Sequence, residues 1–203
     1  MNKFVCFDIG NVLLAVDWNP LHTYFEASPF DVDETSVLEF LQHNQKQCDL
    51  GLTTIREEIC HYFHIKTAHA ALDGSGKAWL DCIVPNPKML ALLSSLQKEG
   101  WKIALVSNIG YEHKAKVEII PAFQGCVKFF SCDVGARKPT ALYYKTFLDL
   151  HPDFIGAPYI DDLQENLDAG KAFGLKPIKF ELPQVGSLVK TDLLKAEIEK
   201  LAK

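Results

Sequence analysis

The chain has 203 residues and a formal net charge of −5 at neutral pH, enough sequence for one α/β domain with a modest insertion. Nucleic acids and anionic membranes are bound through basic faces, so this acidic balance argues against both as partners. The six cysteines include no C-x-x-C pair, and no apolar run approaches the roughly 20 residues of a membrane-spanning helix. We therefore expect reduced thiols and a cytoplasmic location, and the oligomeric state stays open.

The first predicted element is a short apolar strand over residues 3–8, which ends in Asp8 and is broken by Gly10 and Asn11. A longer, more polar segment follows, and its spacing is helical. It predicts amphipathic helices over 34–47 and 54–63, the second capped by Thr53 or Thr54, and a loop over 73–76.

After Pro85 the pattern changes to short apolar strands that alternate with helices. Strands are predicted over 102–106, 127–130, 157–160 and 176–180, with a helix over 89–99 and another in the C-terminal tail, residues 188–203. This alternation predicts right-handed βαβ units. The expected fold is a Rossmann-like three-layer α/β/α parallel sheet, with a core of residues 1–16 and 84–203 and a small helical cap inserted over residues 17–83.

Polar groups follow four of the predicted strands. In an open parallel sheet, ligands bind beyond the carboxyl ends of the strands, so these groups are expected to meet at one rim. Each alone is more typical of a turn or a cap, but their order and placement together indicate a site. They are Asp8, Ser107-Asn108, Arg137-Lys138-Pro139 and Asp161-Asp162.

The segments around these groups resemble, in order, the four motifs of the haloacid dehalogenase (HAD) superfamily. They are Phe7-Asp8-Ile9-Gly10-Asn11-Val12, Val106-Ser107-Asn108, Gly135-Ala136-Arg137-Lys138-Pro139 and Tyr159-Ile160-Asp161-Asp162 with Asn166 and Gly174 beyond. The resemblance implies a magnesium-dependent phosphohydrolase in which Asp8 attacks phosphorus and forms an aspartyl-phosphate.

The resemblance also implies a role for each matching residue. Magnesium would be held by Asp8, the backbone carbonyl of Gly10 and Asp162. Lys138 would stabilise the charge that develops on the phosphoryl oxygens. The substrate-binding groups would be Ser107, Asn108, Gly10 and Asn11, with Asn108 chiefly orienting its loop, and the supporting groups would be Asp161 and Asn166.

Gly10 departs from the family pattern, because phosphatases of this superfamily usually carry a second aspartate at that position as general acid. A missing general acid costs about 10²–10⁴ in rate. Three interpretations stay open: an easy leaving group such as a sugar 1-phosphate, another proton donor such as Asp17, or a protein that binds phosphate and turns over poorly. The Asp-x-Gly-Asn-Val form resembles a branch that includes sugar-1-phosphate phosphatases, which favours the first.

The predicted insertion matches the position of the family's small cap, which implies a small phosphorylated metabolite as substrate rather than a macromolecule. Trp18, Phe25 and Trp79 either line that closure or pack inside the cap. Two alternative functions remain: a catalytically weak phosphometabolite sensor and a metal-independent haloacid dehalogenase. The second needs an arginine for the substrate carboxylate, and Arg56, inside a predicted helix, is the only arginine of the insertion.

Overall fold

A computed structural model describes residues 3–29, 34–64, 66, 72–182 and 190–202. Its strands are β1 (Phe4–Phe7), β2 (Leu14–Val16), β3 (Ile83–Pro85), β4 (Lys102–Ser107), β5 (Val127–Phe130), β6 (Pro158–Asp161) and β7 (Lys176–Lys179). Its helices are α1 (Asn19–Glu26), α2 (Glu34–Asp49), α3 (Ile55–Tyr62), α4 (Ser75–Asp81), α5 (Pro87–Lys98), α6 (Tyr111–Glu118), α7 (Ser131–Val134), α8 (Ala141–Leu150), α9 (Gln164–Ala172) and α10 (Thr191–Leu201). None of the described helices has the length and apolar character needed to cross a membrane.

Five of the strands form one parallel sheet in the order β5-β4-β1-β6-β7. The first strand of the chain is therefore the central one, and Phe7 pairs with Leu105 on one side and Ile160 on the other. Parallel strands covered on both faces are apolar throughout, which explains the uninterrupted hydrophobic runs in the sequence.

Alternate residues of the strands pack against helices on opposite faces of the sheet. Val5 and Phe7 belong to a cluster with Leu93 of α5 and Ile198 of α10. Cys6, between them, belongs to a second cluster on the other face, formed with side chains of α8 and α9 that include Phe147 and Leu167. The predicted three-layer α/β/α architecture is confirmed.

The chain between β2 and β3 contains helices α1 to α4, which surround a third apolar cluster of their own: Leu21, Phe25, Val37, Phe40, Ile55, Ile59, Cys60, Leu72, Trp79 and Cys82. Of the two threonines expected to cap α3, Thr54 does so, and Glu57 completes a reciprocal capping box that the sequence analysis does not predict. The loop expected over 73–76 is wrong in its second half, because α4 begins at Ser75, whose hydroxyl donates to Leu72 O.

The antiparallel pair β2–β3 has no counterpart among the predicted strands. Each strand has only three residues, and the partners are separated by the whole insertion, so no local pattern marks them. The pair joins the two ends of the inserted segment beside the core sheet. The domain boundaries at residues 17 and 83 remain a proposal.

Candidate active site

A cavity of about 290 Å³ opens at the carboxyl ends of β1, β4 and β6. The strand-end groups predicted from the sequence line it together: Asp8, Gly10, Asn11, Ser107, Asn108, Lys138, Asp162 and Asn166. The inserted segment and its two flanking strands contribute Val16, Trp18, Gln45, Asp49 and Ile83, and the core adds Ile9, Ile109, His113, Arg137 and Leu163. Asp161 lies beneath this surface and is fully buried.

Lys138 is only 1% exposed and lies between two carboxylates. Its Nζ is 2.6 Å from Asp161 Oδ2 and 3.0 Å from Asp8 Oδ1. Burial alone would lower the pKa of Lys138, but the negative charges of Asp161 and Asp8 hold this pKa above its ordinary value. The site therefore has a fixed positive charge beside the carboxylate at the end of β1.

Asp161 has no oxygen left for a ligand. Its Oδ2 accepts hydrogen bonds from Lys138 Nζ and the Tyr159 hydroxyl, and its Oδ1 accepts from Leu163 N and Asn166 Nδ2. Burial would raise its pKa, but the charge of Lys138 and these hydrogen bonds lower the pKa of Asp161 below its ordinary value. Asp161 is thus a fixed anion that orients the lysine.

Unlike Asp161, Asp8 and Asp162 have carboxylate oxygens that are not saturated by hydrogen bonds from the described residues. One carboxylate oxygen from each of these three residues lies within 4.8 Å of the others. Asp8 Oδ1 is buried and accepts no hydrogen bond from the described residues, although Lys138 Nζ is close. Burial, opposed by Lys138 and reinforced by Asp161 and Asp162, raises the pKa of Asp8 to about 7. Hard oxygens crowded in this way, one of them a buried oxygen that is paired with Lys138 but accepts no well-aligned hydrogen bond, fit a divalent cation such as magnesium.

The Gly10-Asn11 turn joins this acidic group to the start of the insertion. Asn11 has a φ of 52°, a left-handed conformation that asparagine tolerates better than most residues. Its Nδ2 donates to Asp162 Oδ2 at 3.2 Å, and its Oδ1 accepts from Val16 N at 3.2 Å. A Cβ built on Gly10 would lie 3.4 Å from Val16 Cγ2, so the backbone here does not require glycine.

Asn108 contacts the backbone of Lys138 through both ends of its amide. Its Oδ1 accepts from Lys138 N at 2.8 Å, and its Nδ2 donates to Lys138 O at 3.0 Å. This geometry agrees with the expected orienting role and leaves its amide little capacity for a substrate. Ser107 is the last residue of β4, and its buried side chain lines the cavity directly.

The structure does not bring Asp17 to this cavity, so the interpretation of Asp17 as the proton donor is corrected. Its Oδ1 accepts from Asn19 N at 3.0 Å at the start of α1, and the residue lines a separate surface depression with Lys77 and Asp81. The carboxylate lies one residue before the N-cap of α1, where a negative charge is favourable to the helix dipole.

Two opposite charges that the sequence does not mark as site residues, Asp49 and Arg137, face each other in the cavity. Arg137 belongs to the motif that also contains Lys138, and its Nη2 lies 3.3 Å from Asp49 Oδ2. Asp49 is the last residue of α2, where the negative end of the helix dipole disfavours a carboxylate. A carboxylate at the unfavourable end of a helix, immediately before Leu50-Gly51, is therefore the sequence signal by which Asp49 could be recognised as a candidate site residue.

Aromatic rings connect the insertion to the core at the opposite wall. Trp79 stacks on His113 of α6 with ring centroids 4.5 Å apart and on Trp18 at 5.7 Å. His113 Nε2 donates to Trp79 O at 2.8 Å, and burial lowers the pKa of His113 to about 4. Of the three aromatic residues considered from the sequence, Trp18 lines the cavity, whereas Phe25 and Trp79 pack in the insertion cluster.

No protein-family model matches the sequence, and no curated protein matches it significantly. Solved structures do match along nearly the whole chain. A HAD family enzyme from Bacteroides thetaiotaomicron superimposes with a TM-score of 0.76 and 19% identity over 95% of this chain and 98% of its own. A predicted HAD-like family hydrolase from Porphyromonas gingivalis gives a TM-score of 0.72 and 16% identity over 96% and 97%.

An L-2-haloacid dehalogenase superimposes with a TM-score of 0.63 and 20% identity over 91% of this chain and 88% of its own. The Bacteroides enzyme has also been crystallised with magnesium and inorganic phosphate. At these identities the comparisons establish architecture. The chain has the fold of HAD family enzymes, with its strand-end polar groups gathered at the rim of the sheet.

Proposed function

We propose that the protein is a magnesium-dependent phosphohydrolase that acts on a small phosphorylated metabolite through an aspartyl-phosphate on Asp8. One observation carries the proposal: Lys138 Nζ lies 3.0 Å from Asp8 Oδ1 and 2.6 Å from Asp161 Oδ2 at the floor of the cavity. A carboxylate nucleophile for an anionic phosphate needs such a nearby positive charge, because the two anions repel each other.

The residues fit a magnesium ion by the chemistry of their donors. Asp8, Asp162 and the backbone carbonyl of Gly10 are the proposed ligands, and Asp161 is excluded because its oxygens are already hydrogen-bonded. A bound magnesium ion supplies neutralisation of charge on the phosphoryl oxygens and on the nucleophile. The magnesium and phosphate complex of the structurally similar Bacteroides enzyme supports this assignment.

The remaining roles belong to side chains of this chain. Asp8 attacks phosphorus, Lys138 stabilises the equatorial oxygens, and Ser107 donates a hydrogen bond to one of them. Asn108 keeps Lys138 in place through the lysine backbone. The cavity volume of about 290 Å³ suits a metabolite and is closed on one side by the insertion, which favours a small substrate over a macromolecule.

Because Gly10 cannot donate a proton, the kind of leaving group that the enzyme can release is the part of this function that stays open. An anomeric phosphate such as a sugar 1-phosphate remains the proposed substrate class if no side chain protonates the leaving oxygen. The dehalogenase alternative requires an arginine for the substrate carboxylate. Within the described cavity lining that residue is Arg137, and its guanidinium pairs with Asp49.

The test is a panel of sugar, nucleotide and acyl phosphates, together with a 2-haloacid, assayed with magnesium, with a chelator, and with the Asp8→Asn variant. We expect phosphate release that requires magnesium and falls at least about 10³-fold in Asp8→Asn, because the covalent route is lost. Turnover of a haloacid that survives chelation would support the dehalogenase instead. Phosphate binding without turnover of any compound would support the sensor.

A further inference from the structure

The cavity contains a second carboxyl group that the proposed phosphoryl transfer does not use. Asp49 is buried, with 4% of its surface exposed, yet it lines the same cavity as Asp8. It comes from the insertion, at the end of α2, whereas the groups assigned to phosphoryl transfer come from the core, at or beyond the ends of its strands. Its position is costly for the helix, because the C-terminal end of a helix disfavours negative charge.

Several contacts hold the end of α2 against the core. The Ser131 hydroxyl donates to Asp49 O at 2.5 Å, and Arg137 pairs with the carboxylate at 3.3 Å. A Cβ built on Gly110 would lie 2.4 Å from Cys48 O, so α2 approaches the loop after β4 as closely as glycine allows. These contacts fix where the Asp49 carboxyl points relative to the phosphate side of the cavity.

The other titratable groups of the described cavity lining that could exchange a proton already have another role or hydrogen-bond partner. Asp8 is the nucleophile, Asp162 is a proposed metal ligand, and Lys138 is a fixed cation. The ring proton of neutral His113 is donated to Trp79 O. Asp49 is the one that remains, and burial raises its pKa to about 6 although Arg137 opposes the rise, so it exchanges a proton near neutral pH.

We propose that Asp49 is the general acid and base of this enzyme and performs from the insertion the proton transfers that Gly10 cannot. The proposal rests on the phosphohydrolase function. In the first step Asp8 forms a bond to phosphorus, the bond to the leaving oxygen breaks, and the Asp49 carboxyl gives its proton to that oxygen. In the second step the Asp49 carboxylate takes a proton from water, the water oxygen bonds to phosphorus, and the bond to Asp8 breaks. Arg137 is then a positioning residue for Asp49.

The substrate class follows from this assignment. With a proton donor in the cavity, the leaving oxygen need not be that of an anomeric or acyl phosphate, and ordinary alcohols can be released. The enzyme would accept phosphate monoesters of primary and secondary alcohols as well as sugar 1-phosphates.

The experiment measures kcat/KM with magnesium for three esters of decreasing leaving-group quality: p-nitrophenyl phosphate, phenyl phosphate and glycerol 2-phosphate. Asp49→Asn is expected to lose about 10²-fold or more on glycerol 2-phosphate and less than about tenfold on p-nitrophenyl phosphate, which needs no protonation. Asp49→Glu is expected to recover part of the loss. Asp81→Asn, a matched substitution on the exposed surface of the insertion, is expected to behave as wild type.

Arg137→Gln separates chemistry from structure, because it breaks the same ion pair and keeps the carboxyl group. The loss of kcat/KM is expected to depend more strongly on the leaving group in Asp49→Asn than in Arg137→Gln. Equal losses on all three esters in Asp49→Asn, or the same leaving-group dependence in both variants, would overturn the role of Asp49. If the wild-type chain cleaves none of the esters, or cleaves them with a chelator present, the phosphohydrolase function itself fails, and the role of Asp49 with it.

Discussion

The side-chain amide of Asn108 forms two hydrogen bonds with the backbone of Lys138: its Oδ1 accepts from Lys138 N at 2.8 Å, and its Nδ2 donates to Lys138 O at 3.0 Å. The residues are 30 positions apart, so this contact ties the end of β4 to the loop that carries the lysine. The position of the buried ammonium group therefore depends on a side chain that carries no charge.

Asn108→Ala is expected to lower kcat about 10²-fold with little change in KM, because a displaced Lys138 loses transition-state stabilisation. The measurement is steady-state phosphate release. A rise in KM at constant kcat would instead indicate that Asn108 binds the substrate directly.

Lys138→Met is expected to abolish activity and also to lower the free energy of unfolding by about 3–5 kcal/mol, since it leaves the buried carboxylates of Asp161 and Asp8 without their cation. Denaturant unfolding measures the loss. The control is Lys145→Met, because Lys145 forms an exposed pair with Asp149 and its removal is expected to change the midpoint little. Similar midpoints for Lys138→Met and wild type would contradict the buried network.

Magnesium is expected to raise the Tm of the wild-type protein. At a concentration 100 times the Kd, binding increases the free energy of unfolding by about 2.7 kcal/mol. Asp162→Asn should lose most of this shift, because it removes a proposed ligand. Asp161→Asn should retain the magnesium-induced rise in Tm, because the Asp161 oxygens are hydrogen-bonded to protein donors and are not proposed ligands. Its Tm without magnesium should be lower than that of the wild type, because the substitution removes the charge that pairs with Lys138. Thermal unfolding with and without magnesium distinguishes the two, and the reverse pattern would contradict the ligand assignment.

The pH profile is expected to report the proton on Asp49. Because burial raises its pKa to about 6, the protonated form that acts as acid is lost as pH rises above this value. Arg137 and Lys138 lower the pKa of Asp49, and the charge of Asp49 in turn contributes to the raised pKa values of Cys48 and Cys132. For glycerol 2-phosphate, the ratio of wild-type to Asp49→Asn kcat/KM should fall about tenfold per pH unit above that pKa, while the ionisation of the substrate cancels. A ratio that is constant with pH would contradict the acid role.

Gly10→Asp is expected to restore activity to Asp49→Asn on glycerol 2-phosphate by at least about tenfold, since it supplies the acid at the family's usual position. The site can accept the change, because among the described residues a Cβ there meets Val16 Cγ2 alone, at 3.4 Å, and the φ of Gly10 is not left-handed. Gly10→Asn in the same background is the matched control without a proton to give. Equal rescue by both would indicate a packing effect.

The core of this site was predictable because each of its groups lies where a strand pattern ends. Asp8, Ser107 and Asp161 stand at or just after the ends of apolar runs, and parallel strands place such ends at one edge. Long-range pairings were not predictable in the same way. The pairing of Leu14 with Pro85 joins segments with no shared local pattern, so β2 and β3 were missed.

The contribution of the insertion was also beyond the sequence pattern. Asp17 is close to the nucleophile along the chain, which makes it a candidate proton donor, but its carboxylate accepts from Asn19 N at the start of α1. Asp49 is more than 40 residues from Asp8 in sequence, and only the docking of α2 brings it to the cavity. Proximity along the chain is a poor guide when a separate layer of helices covers the site.

The stack of Trp18, Trp79 and His113 gives the protein a built-in optical reporter. Two of its three tryptophans lie at the boundary between insertion and core, whereas Trp101 is buried against the sheet. Movement of the insertion away from α6 would separate the Trp79 ring from His113 and shift the Trp79 emission to longer wavelength, over the signal of Trp101. Intrinsic fluorescence therefore reports any movement of the insertion relative to α6, without a label.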